Sequence, residues 1–320
     1  MSELEVDGEP IFDLTRSVPE LAAVRNHLEA RQWWYAWQVL EEIRGRGEDQ
    51  LAAASEAISH VPDIEVCLDE MLLAHPGNAE ARTLRAHRML NLARAIRIGV
   101  VAADEGEDEH VVFEGMSRAV EVELIELCAQ NPRMASPWFL RGITAVGLGI
   151  NHSEARRRYD RLTANHPHHF SAQQQMLIKL APRADGSPEA LFGFAHQCAD
   201  AAPAAAASNA AVAAAHFEMT ISMSPTQRRL YLADQLVQDD LIRASAATVH
   251  DPGFVADLHS VSLHSLFAIL WSFAGAPAEA ATHYSALGLR ASPTWFGRFR
   301  DPTAVFKAQR SAVLMAADSR

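Results

Sequence analysis

The chain has 320 residues, of which 49% are hydrophobic and 21% are charged, a composition typical of a folded protein. Its formal net charge of -12 would repel a phosphate backbone, so we expect no nucleic-acid partner. The longest apolar passages, 210–216 and 261–276, are too short or too interrupted by polar residues to predict a membrane span.

Residues 1–16 predict a flexible N-terminus, and residues 17–320 predict a single domain of roughly fourteen helices without strands. Ser17, followed by Val18-Pro19-Glu20, has the pattern of a capping box and predicts a helix that runs to about residue 30. Trp33 opens a second amphipathic helix that ends near Gly45. Trp33 and Trp37 fit its buried stripe, whereas Trp34 points about a hundred degrees away and predicts either an exposed anchor or packing on a neighbouring helix.

Further along the chain, the helix boundaries are set by proline, glycine and capping residues. Pro76-Gly77-Asn78 ends one helix and caps the next, predicted over 79–101. The polar segment 103–110 predicts a loop, and a long helix follows over 111–130. Ser187-Pro188 and Asp301-Pro302 start two later helices, the last of which reaches about Met315.

Two stretches, 135–169 and 261–293, share a spacing of small, turn-forming and helix-ending residues that is typical of an antiparallel helix pair. In each, a small residue is followed by a turn glycine, a Glu-Ala pair, a Tyr, a Leu and a Pro. The first series is Gly142, Gly149, Glu154-Ala155, Tyr159, Leu162 and Pro167; the second is Ala268, Gly275, Glu279-Ala280, Tyr284, Leu287 and Pro293. The turn glycines and terminal prolines predict a helical hairpin that recurs along the chain.

These stretches resemble tetratricopeptide repeats. The whole chain also resembles a poorly characterised bacterial group of helical-repeat proteins, through Ala181-Pro182-Arg183 before Gly186-Ser187 and through Asp301-Pro302 followed by Phe306. The resemblance implies an all-α, right-handed α-solenoid of stacked antiparallel hairpins, with a concave face formed by the first helix of each pair. The bacterial group implies no activity.

Our leading hypothesis is a non-catalytic scaffold that binds a protein or peptide in this concave groove. The candidate binding residues are Thr83, Arg85, His87, Arg88, Phe139, Arg141, Ile143, Gln174, Ser265 and Ser272. Tetratricopeptide domains that clamp a C-terminal carboxylate use Lys and Asn at such positions. The matching positions here are Thr83, His87, Phe139, Ile143, Ser265 and Ile269. Because none of them is Lys or Asn, we do not expect a carboxylate clamp.

The alternative is an enzyme, or an accessory subunit of a biosynthetic enzyme, with a pocket built from several helices. His87, Glu114, His169 and His216 are ionisable residues within helical segments that could converge there. The chain contains no P-loop, dinucleotide-binding glycine pattern, His-Glu-x-x-His or nucleophile elbow. We therefore predict no catalytic residue, no cofactor and no metal.

Other charged and histidine-rich patterns leave two interpretations open. His166-Pro167-His168-His169 could contribute metal ligands, but a solvated turn is favoured. Arg85 and Arg88 could bind carboxylates or phosphates of a partner through paired hydrogen bonds, or form ion pairs with acidic neighbours such as those in 104–109.

Cellular location and self-association follow from the ends of the chain and its cysteines. The first ten residues contain no apolar signal region, and Cys67, Cys128 and Cys198 are too scattered for a disulfide framework. These features favour a reduced, cytoplasmic protein. The last helix has apolar residues on its outer side, including Phe306 and Val313, so a homodimer through the C-terminal region is possible.

Overall fold

The computed structural model describes residues 8–98 and 108–318. These residues form seventeen α-helices and three short 3-10 helices, and no β-strand is found among them, which confirms the all-α class. The first nine helices are α1 (Pro19–Glu29), α2 (Trp33–Arg44), α3 (Glu48–Ile58), α4 (Ile64–Ala74), α5 (Ala79–Arg97), α6 (Glu109–Gln130), α7 (Ala135–Gly147), α8 (His152–Thr163) and α9 (Phe170–Leu180). The remaining eight are α10 (Pro188–Ala201), α11 (Ala211–Thr220), α12 (Pro225–Leu232), α13 (Gln235–Ala246), α14 (Ser260–Ala274), α15 (Pro277–Leu287), α16 (Pro293–Phe296) and α17 (Pro302–Asp318).

The chain divides into two compact units, each described by itself. The 18–179 unit is Val18–Lys179, and the 180–320 unit is Leu180–Arg320 together with Met1–Ser17. Among the described residues, no helix combines the length and apolarity needed to cross a bilayer.

Capping residues define several helix starts as predicted. Asn78 Oδ1 accepts hydrogen bonds from the amides of Glu80 and Ala81 at 3.1 and 2.9 Å, which satisfies the free N–H groups of α5. Ser187 Oγ accepts from the amide of Ala190 at 3.2 Å at the start of α10. These local signals fix the ends of helices without tertiary information.

The predicted capping box at Ser17 is wrong. The N-cap of α1 is Val18, and Ser17 Oγ has no hydrogen-bond partner among the described residues. Pro19 explains the difference, because proline favours the first helical position and holds the preceding residue in an extended conformation. Val18 therefore occupies the cap position that the pattern assigned to Ser17.

Both predicted hairpins are present. Helix α7 packs on α8, and α14 packs on α15. Gly149 and Gly275 end the first helix of each pair with φ values of +63° and +77°, a left-handed backbone that glycine adopts without steric cost. The shared residue pattern therefore predicted both local helix pairs. His152 begins the second helix of the first pair, and Pro277 begins the second helix of the other.

The core of the 18–179 unit is formed by helices α3 and α5 to α9. Its buried apolar residues include Leu90, Leu124, Leu127, Phe139, Leu140, Ile143 and Leu162. The core also contains ionic groups. Arg141 and Arg158 contact Glu121 at 2.9 and 3.0 Å, and Thr144 Oγ1 donates to the same carboxylate at 2.5 Å.

Aromatic rings form much of the core of the 180–320 unit. The ring of Phe306, on α17, meets the rings of Tyr284 and Phe296 at centroid distances of 5.6 and 5.2 Å. Val313 is buried as well. Phe306 and Val313, which were predicted to form an apolar outer face on α17, are thus buried in the core of their own unit. Met315 remains 64% exposed.

The predicted flexible N-terminus lies partly outside the described residues, as do the predicted helix end at 99–101 and most of the predicted loop 103–110. Glu109 and His110, predicted to belong to that loop, begin α6 instead, because Asp108 caps the helix there. Within the described part, Ile11 donates its amide to Leu289 O at 2.7 Å and accepts from the amide of Ala291 at 3.0 Å. Residues Leu14–Arg16 form a 3-10 helix, which Asp13 caps through the amide of Thr15.

Candidate functional site

Helix α13 carries apolar side chains on two faces. Val237, Leu241 and Ala244 repeat at helical spacing and are buried. Leu236 and Ile242 lie off this stripe, and 75% and 54% of their surfaces are exposed. A single exposed apolar residue is ordinary on a protein surface. These two, however, border clefts of the 180–320 unit.

The first of these, the histidine cleft, has a volume of about 390 Å³, which is within the usual range of ligand sites. Trp271 is buried, and Glu279 is exposed. No described cation lies within ion-pairing distance of Glu279. The lining residues are Ile242, Ser245, Ala246, His250, Trp271, Ala278, Glu279, Thr282 and His283.

Three imidazole rings are in contact at this cleft, and two of them, those of His250 and His283, line it. His264 on α14 and His283 on α15 place their Nδ1 atoms 3.1 Å apart, so one ring donates an N–H and the other accepts it. The ring of His250 stacks on that of His283 at 5.2 Å, as does the ring of Phe267. Ser245 Oγ lies 2.9 Å from His250 Nδ1. The cluster is therefore held by stacking and by a shared proton.

Burial keeps two of these imidazoles, those of His264 and His283, neutral. It lowers the pKa of His264 to about 4, helped by the proximity of His250 and Arg290. Burial likewise lowers the pKa of His283 to about 3, with further contributions from His264 and His250. A charged imidazolium would lose its hydration and face a like charge. At neutral pH, the ring of His283 in the histidine cleft is therefore uncharged, and the cleft contains one carboxylate, that of Glu279.

The second cleft, the aspartate cleft, has a volume of about 570 Å³ and lies at the other end of the exposed face of α13. Asp239 is exposed and accepts a hydrogen bond from Gln235 at 2.8 Å, but no described cation pairs with it. Asp240 pairs with Arg243. The lining residues are His196, Leu236, Asp239, Asp240, Ile242 and Arg243. Ile242 thus lines both clefts.

A hydrogen-bonded chain, Tyr231–His216–Asp240, ends at the aspartate cleft. His216 Nε2 lies 3.1 Å from Asp240 Oδ2, and because a carboxylate only accepts, this nitrogen carries the proton. In the neutral ring Nδ1 is then an acceptor, and the Tyr231 hydroxyl donates to it at 2.7 Å. Burial lowers the pKa of His216 and raises that of Tyr231. Burial of Asp240 opposes ionisation, yet hydrogen bonds from His216 and Arg243 lower its pKa.

Most of the residues predicted to line a binding groove are interior. The buried side chains are those of Thr83, His87, Arg88, Phe139, Arg141, Ile143 and Ser265. Arg85, Gln174 and Ser272 are partly buried. The structure does not bring these ten residues together on one exposed face, so the surface available to a partner has to be formed by other side chains.

Thr83, His87 and Phe139 do meet, at a cavity inside the 18–179 unit. Its volume is about 20 Å³, which is room for one water molecule. Ser136 Oγ lines the same cavity, is buried and has no hydrogen-bond partner among the described residues. His87 Nε2 contacts Glu56 at 2.8 Å. A cavity of this size fits a bridging water and excludes a peptide side chain.

The predicted arginines pair within the 18–179 unit. Arg85 contacts Asp69, and Arg88 contacts Glu65 at 2.8 Å, both on α4. The interpretation in which these arginines pair with acidic neighbours is therefore the one the geometry supports. The neighbours lie on α4, whereas most of the predicted acidic segment 104–109 falls outside the described residues.

The remaining predicted residues make local hydrogen bonds. Ser265 Oγ accepts from the amide of Ser292 at 3.0 Å, which ties α14 to the start of α16. Ser272 Oγ donates to Ala268 O at 2.7 Å within its own helix. Gln174 Nε2 is buried without a partner in the described part of the chain.

The predicted solvated turn at 166–169 is wrong for its last residue. His169 is buried, its Nδ1 lies 3.0 Å from Asp49 Oδ1, and its ring stacks on Phe139 at 5.6 Å. Asp49 also accepts from the amides of Phe170 and Ser171, at 3.0 Å each, and so caps α9 from a distant helix. Within the described residues, no group of three or more His, Cys, Asp or Glu side chains is arranged to hold a metal ion.

The ionisable residues of the enzyme hypothesis are distributed over both units. His87 and His169 flank Phe139 in the 18–179 unit, where Glu114 pairs with Arg118 at 3.2 Å. His216 belongs to the 180–320 unit. His87 lines the water-sized cavity, and the structure does not bring the four residues together.

The sequence analysis did not identify the residues around the two clefts, apart from Glu279, which it used only as part of the repeat pattern. A usable signal was present in α13, where Leu236 and Ile242 fall outside the apolar stripe of Val237, Leu241 and Ala244. Apolar residues outside a stripe that already fills a helix face predict a second contact surface. No such signal pointed to the pairing of His264 with His283, because it depends on how α14 and α15 align.

Comparison with known proteins leaves the chain without an assigned family: no family model matches it, and no curated protein or solved structure is significantly similar to it.

Proposed function

We propose that this chain is a non-catalytic scaffold that binds a peptide or protein segment, and that the segment lies along α13 in the histidine and aspartate clefts. The observation that carries this proposal is the position of Ile242. Its side chain is 54% exposed and lines both clefts, so a single bound segment that covers it reaches both. The site therefore differs from the groove residues expected from the sequence.

The chemistry of the clefts fits a segment of polypeptide. Covering Leu236 and Ile242 removes apolar surface from water, which is worth about 25 cal/mol for each Å². Thr282 supplies an exposed hydroxyl group that can hydrogen-bond to a backbone. Apolar anchors beside neutral polar groups are the usual combination in peptide-binding grooves.

The finer architecture belongs to the same proposal. The two hairpins, their left-handed turn glycines and their Glu-Ala pairs support a right-handed, tetratricopeptide-like α-solenoid, a scaffold that presents long binding surfaces. A cytoplasmic location suits a chain with three buried cysteines. For a homodimer through the C-terminal region, the supporting feature is the exposed Met315 on α17.

Selection from a random peptide library displayed on phage tests whether the clefts bind peptides. The full chain is the bait, and enriched peptides are then titrated against Ile242→Glu. Because the new carboxylate would have to be buried by a bound segment, we expect the affinity to fall at least tenfold.

Leu230→Glu is the matched control, since Leu230 is a comparably exposed apolar residue of the same unit, at 69%, that lines neither cleft. Enriched peptides should bind this variant as they bind the unchanged chain. A library that yields no binders, or binders equally indifferent to both substitutions, would remove the proposal.

A second candidate function, an enzyme, is favoured by one observation, the Tyr231–His216–Asp240 chain. A base oriented by a carboxylate and bonded to a hydroxyl is an arrangement that supports acid–base catalysis. Hydrolysis of a panel of activated esters and phosphoesters, measured for the full chain, His216→Gln and the control His110→Gln, at an exposed histidine that lines neither cleft, tests it. Activity lost in His216→Gln alone would support catalysis, and rates equal in all three proteins would contradict it.

A further inference from the structure

The walls of the two clefts carry an excess of negative charge. Residues 230–287, which include α13, α14 and α15, contain six acidic residues and a single basic one, Arg243. The acidic residues are Asp234, Asp239, Asp240, Asp251, Asp257 and Glu279. This stretch is therefore more acidic than its length alone would predict for a chain with a net charge of -12.

Two of these carboxylates line the clefts without a neighbouring cation among the described residues, and they are therefore available to bind a partner. Asp240 is already paired with Arg243 and His216. Asp239, in the aspartate cleft, and Glu279, in the histidine cleft, are exposed and have no cation beside them among the described residues. Each cleft thus contains one uncompensated negative charge next to the shared apolar residue Ile242.

His264 and His283 do not offset this charge. His283 lines the histidine cleft, and burial keeps both His283 and its hydrogen-bonded neighbour His264 neutral at physiological pH. Arg290, which also lowers the pKa of His264, does not line the cleft. The clefts therefore combine an apolar centre with two negative ends.

From this arrangement we propose that the clefts bind a basic amphipathic segment, with apolar side chains over Leu236 and Ile242 and Lys or Arg side chains beside Asp239 and Glu279. The inference rests on the proposed function and names the class of its partner. Leu236 and Ile242 are six residues apart, or about 9 Å along the helix axis. They also differ by about 120° around α13, so a bound helix that lies over the exposed face between them can contact both with apolar side chains about two turns apart, as in other helix-in-groove complexes.

The test uses three synthetic peptides with the same apolar positions and with Lys, Gln or Glu at all polar positions. Binding to the full chain is measured by fluorescence anisotropy at about 0.05 and 0.3 M NaCl. Each exposed charge pair strengthens binding by a factor of about 1.5 to 5, so two pairs predict roughly tenfold tighter binding of the Lys peptide than of the Gln peptide. The advantage should shrink at the higher salt concentration, where the screening length is shorter.

The double variant Asp239→Asn, Glu279→Gln should reduce the preference for the Lys peptide to about twofold or less. Its matched control is Glu189→Gln, Asp200→Asn, which removes two exposed carboxylates of the same unit that line neither cleft. The control should keep the full preference.

The outcomes separate the two proposals. If the Gln peptide or library peptides bind in a manner sensitive to Ile242→Glu but the Lys peptide has no advantage, the charge inference is overturned and the peptide-binding function stands. If no peptide binds at either salt concentration, the proposed function fails and the inference with it. A Lys preference that survives the Asp239→Asn, Glu279→Gln change places the basic partner elsewhere and also overturns the inference.

Discussion

At the scale of residues, the most informative groups are buried and ionisable. The 18–179 unit buries Arg141 and Arg158 against Glu121, and the 180–320 unit contains a hydrogen-bonded pair of neutral histidines, His264 and His283. In both cases the electrostatic state of the side chain depends on partners that are distant in the sequence. Removing a partner, or changing its protonation, should therefore have a large effect on stability.

The histidine cluster predicts that stability decreases in mild acid. The folded-state pKa values of His264 and His283, about 4 and about 3, lie below the ordinary value of 6.5. As pH falls below about 6.5 the unfolded chain binds protons that the folded chain does not, so the stability present above that pH is progressively lost. At pH 5 the loss is about 1–2 kcal/mol for each histidine.

Urea unfolding at pH 7.5 and pH 5.0 measures this effect, and His283→Phe is the informative variant. Phenylalanine can keep the stacking on Phe267 but binds no proton, so the difference between the two pH values should fall by about half. An unchanged pH dependence in His283→Phe would show that other groups are responsible.

A second prediction concerns Glu121, whose side chain is 12% exposed. Glu121→Gln should destabilise the protein by about 3 kcal/mol, because Arg141 and Arg158 would lose the buried carboxylate that they share and keep only Glu154, which is more exposed, as a counter-charge. The exposed Glu126, which lies on α6 like Glu121 and pairs with Arg82 of α5, is the control. Glu126→Gln should cost less than about 1 kcal/mol in the same urea experiment, and equal losses for the two variants would contradict the argument.

At the scale of helices, local signals succeeded where the cap or turn lies within a few residues of its partner. Asn78, Ser187, Gly149 and Gly275 all act on adjacent backbone and were predictable. The cap of α9 was not, because its acceptor, Asp49, is separated from Phe170 by 121 positions in the sequence. Ser17 failed for a local reason, since Pro19 moved the helix start by one residue.

The hairpin turns give a prediction at this scale. Gly275→Ala should destabilise the protein by about 1 kcal/mol, because at a φ of +77° the Cβ atom of alanine comes too close to the backbone carbonyl oxygen. Gly193 is the matched control, since it lies inside α10 and a methyl group added there would have no neighbouring atom within 4 Å. Gly193→Ala should be neutral or stabilise by up to about 1 kcal/mol, and thermal unfolding of both variants distinguishes the two effects. Equal shifts of the melting temperature would contradict the assigned role of Gly275.

At the scale of the whole molecule, the sequence predicted the all-α class and two helical hairpins but not the candidate site. The predicted groove residues were chosen from repeat register, and most of them fill helix interfaces. The residues around the clefts escaped notice because a cleft depends on how several helices pack. Only Leu236 and Ile242, as apolar residues outside the buried stripe of α13, carried a signal that could be read in advance.

The central claim is that a partner segment binds along α13, and hydrogen–deuterium exchange of the full chain with and without a selected peptide tests it most directly. At saturating peptide, amide exchange should slow in residues 235–250 and 278–283 and stay unchanged in α6 and α17. Protection confined to the 18–179 unit, or bound peptide without any slowing along α13, would contradict the account.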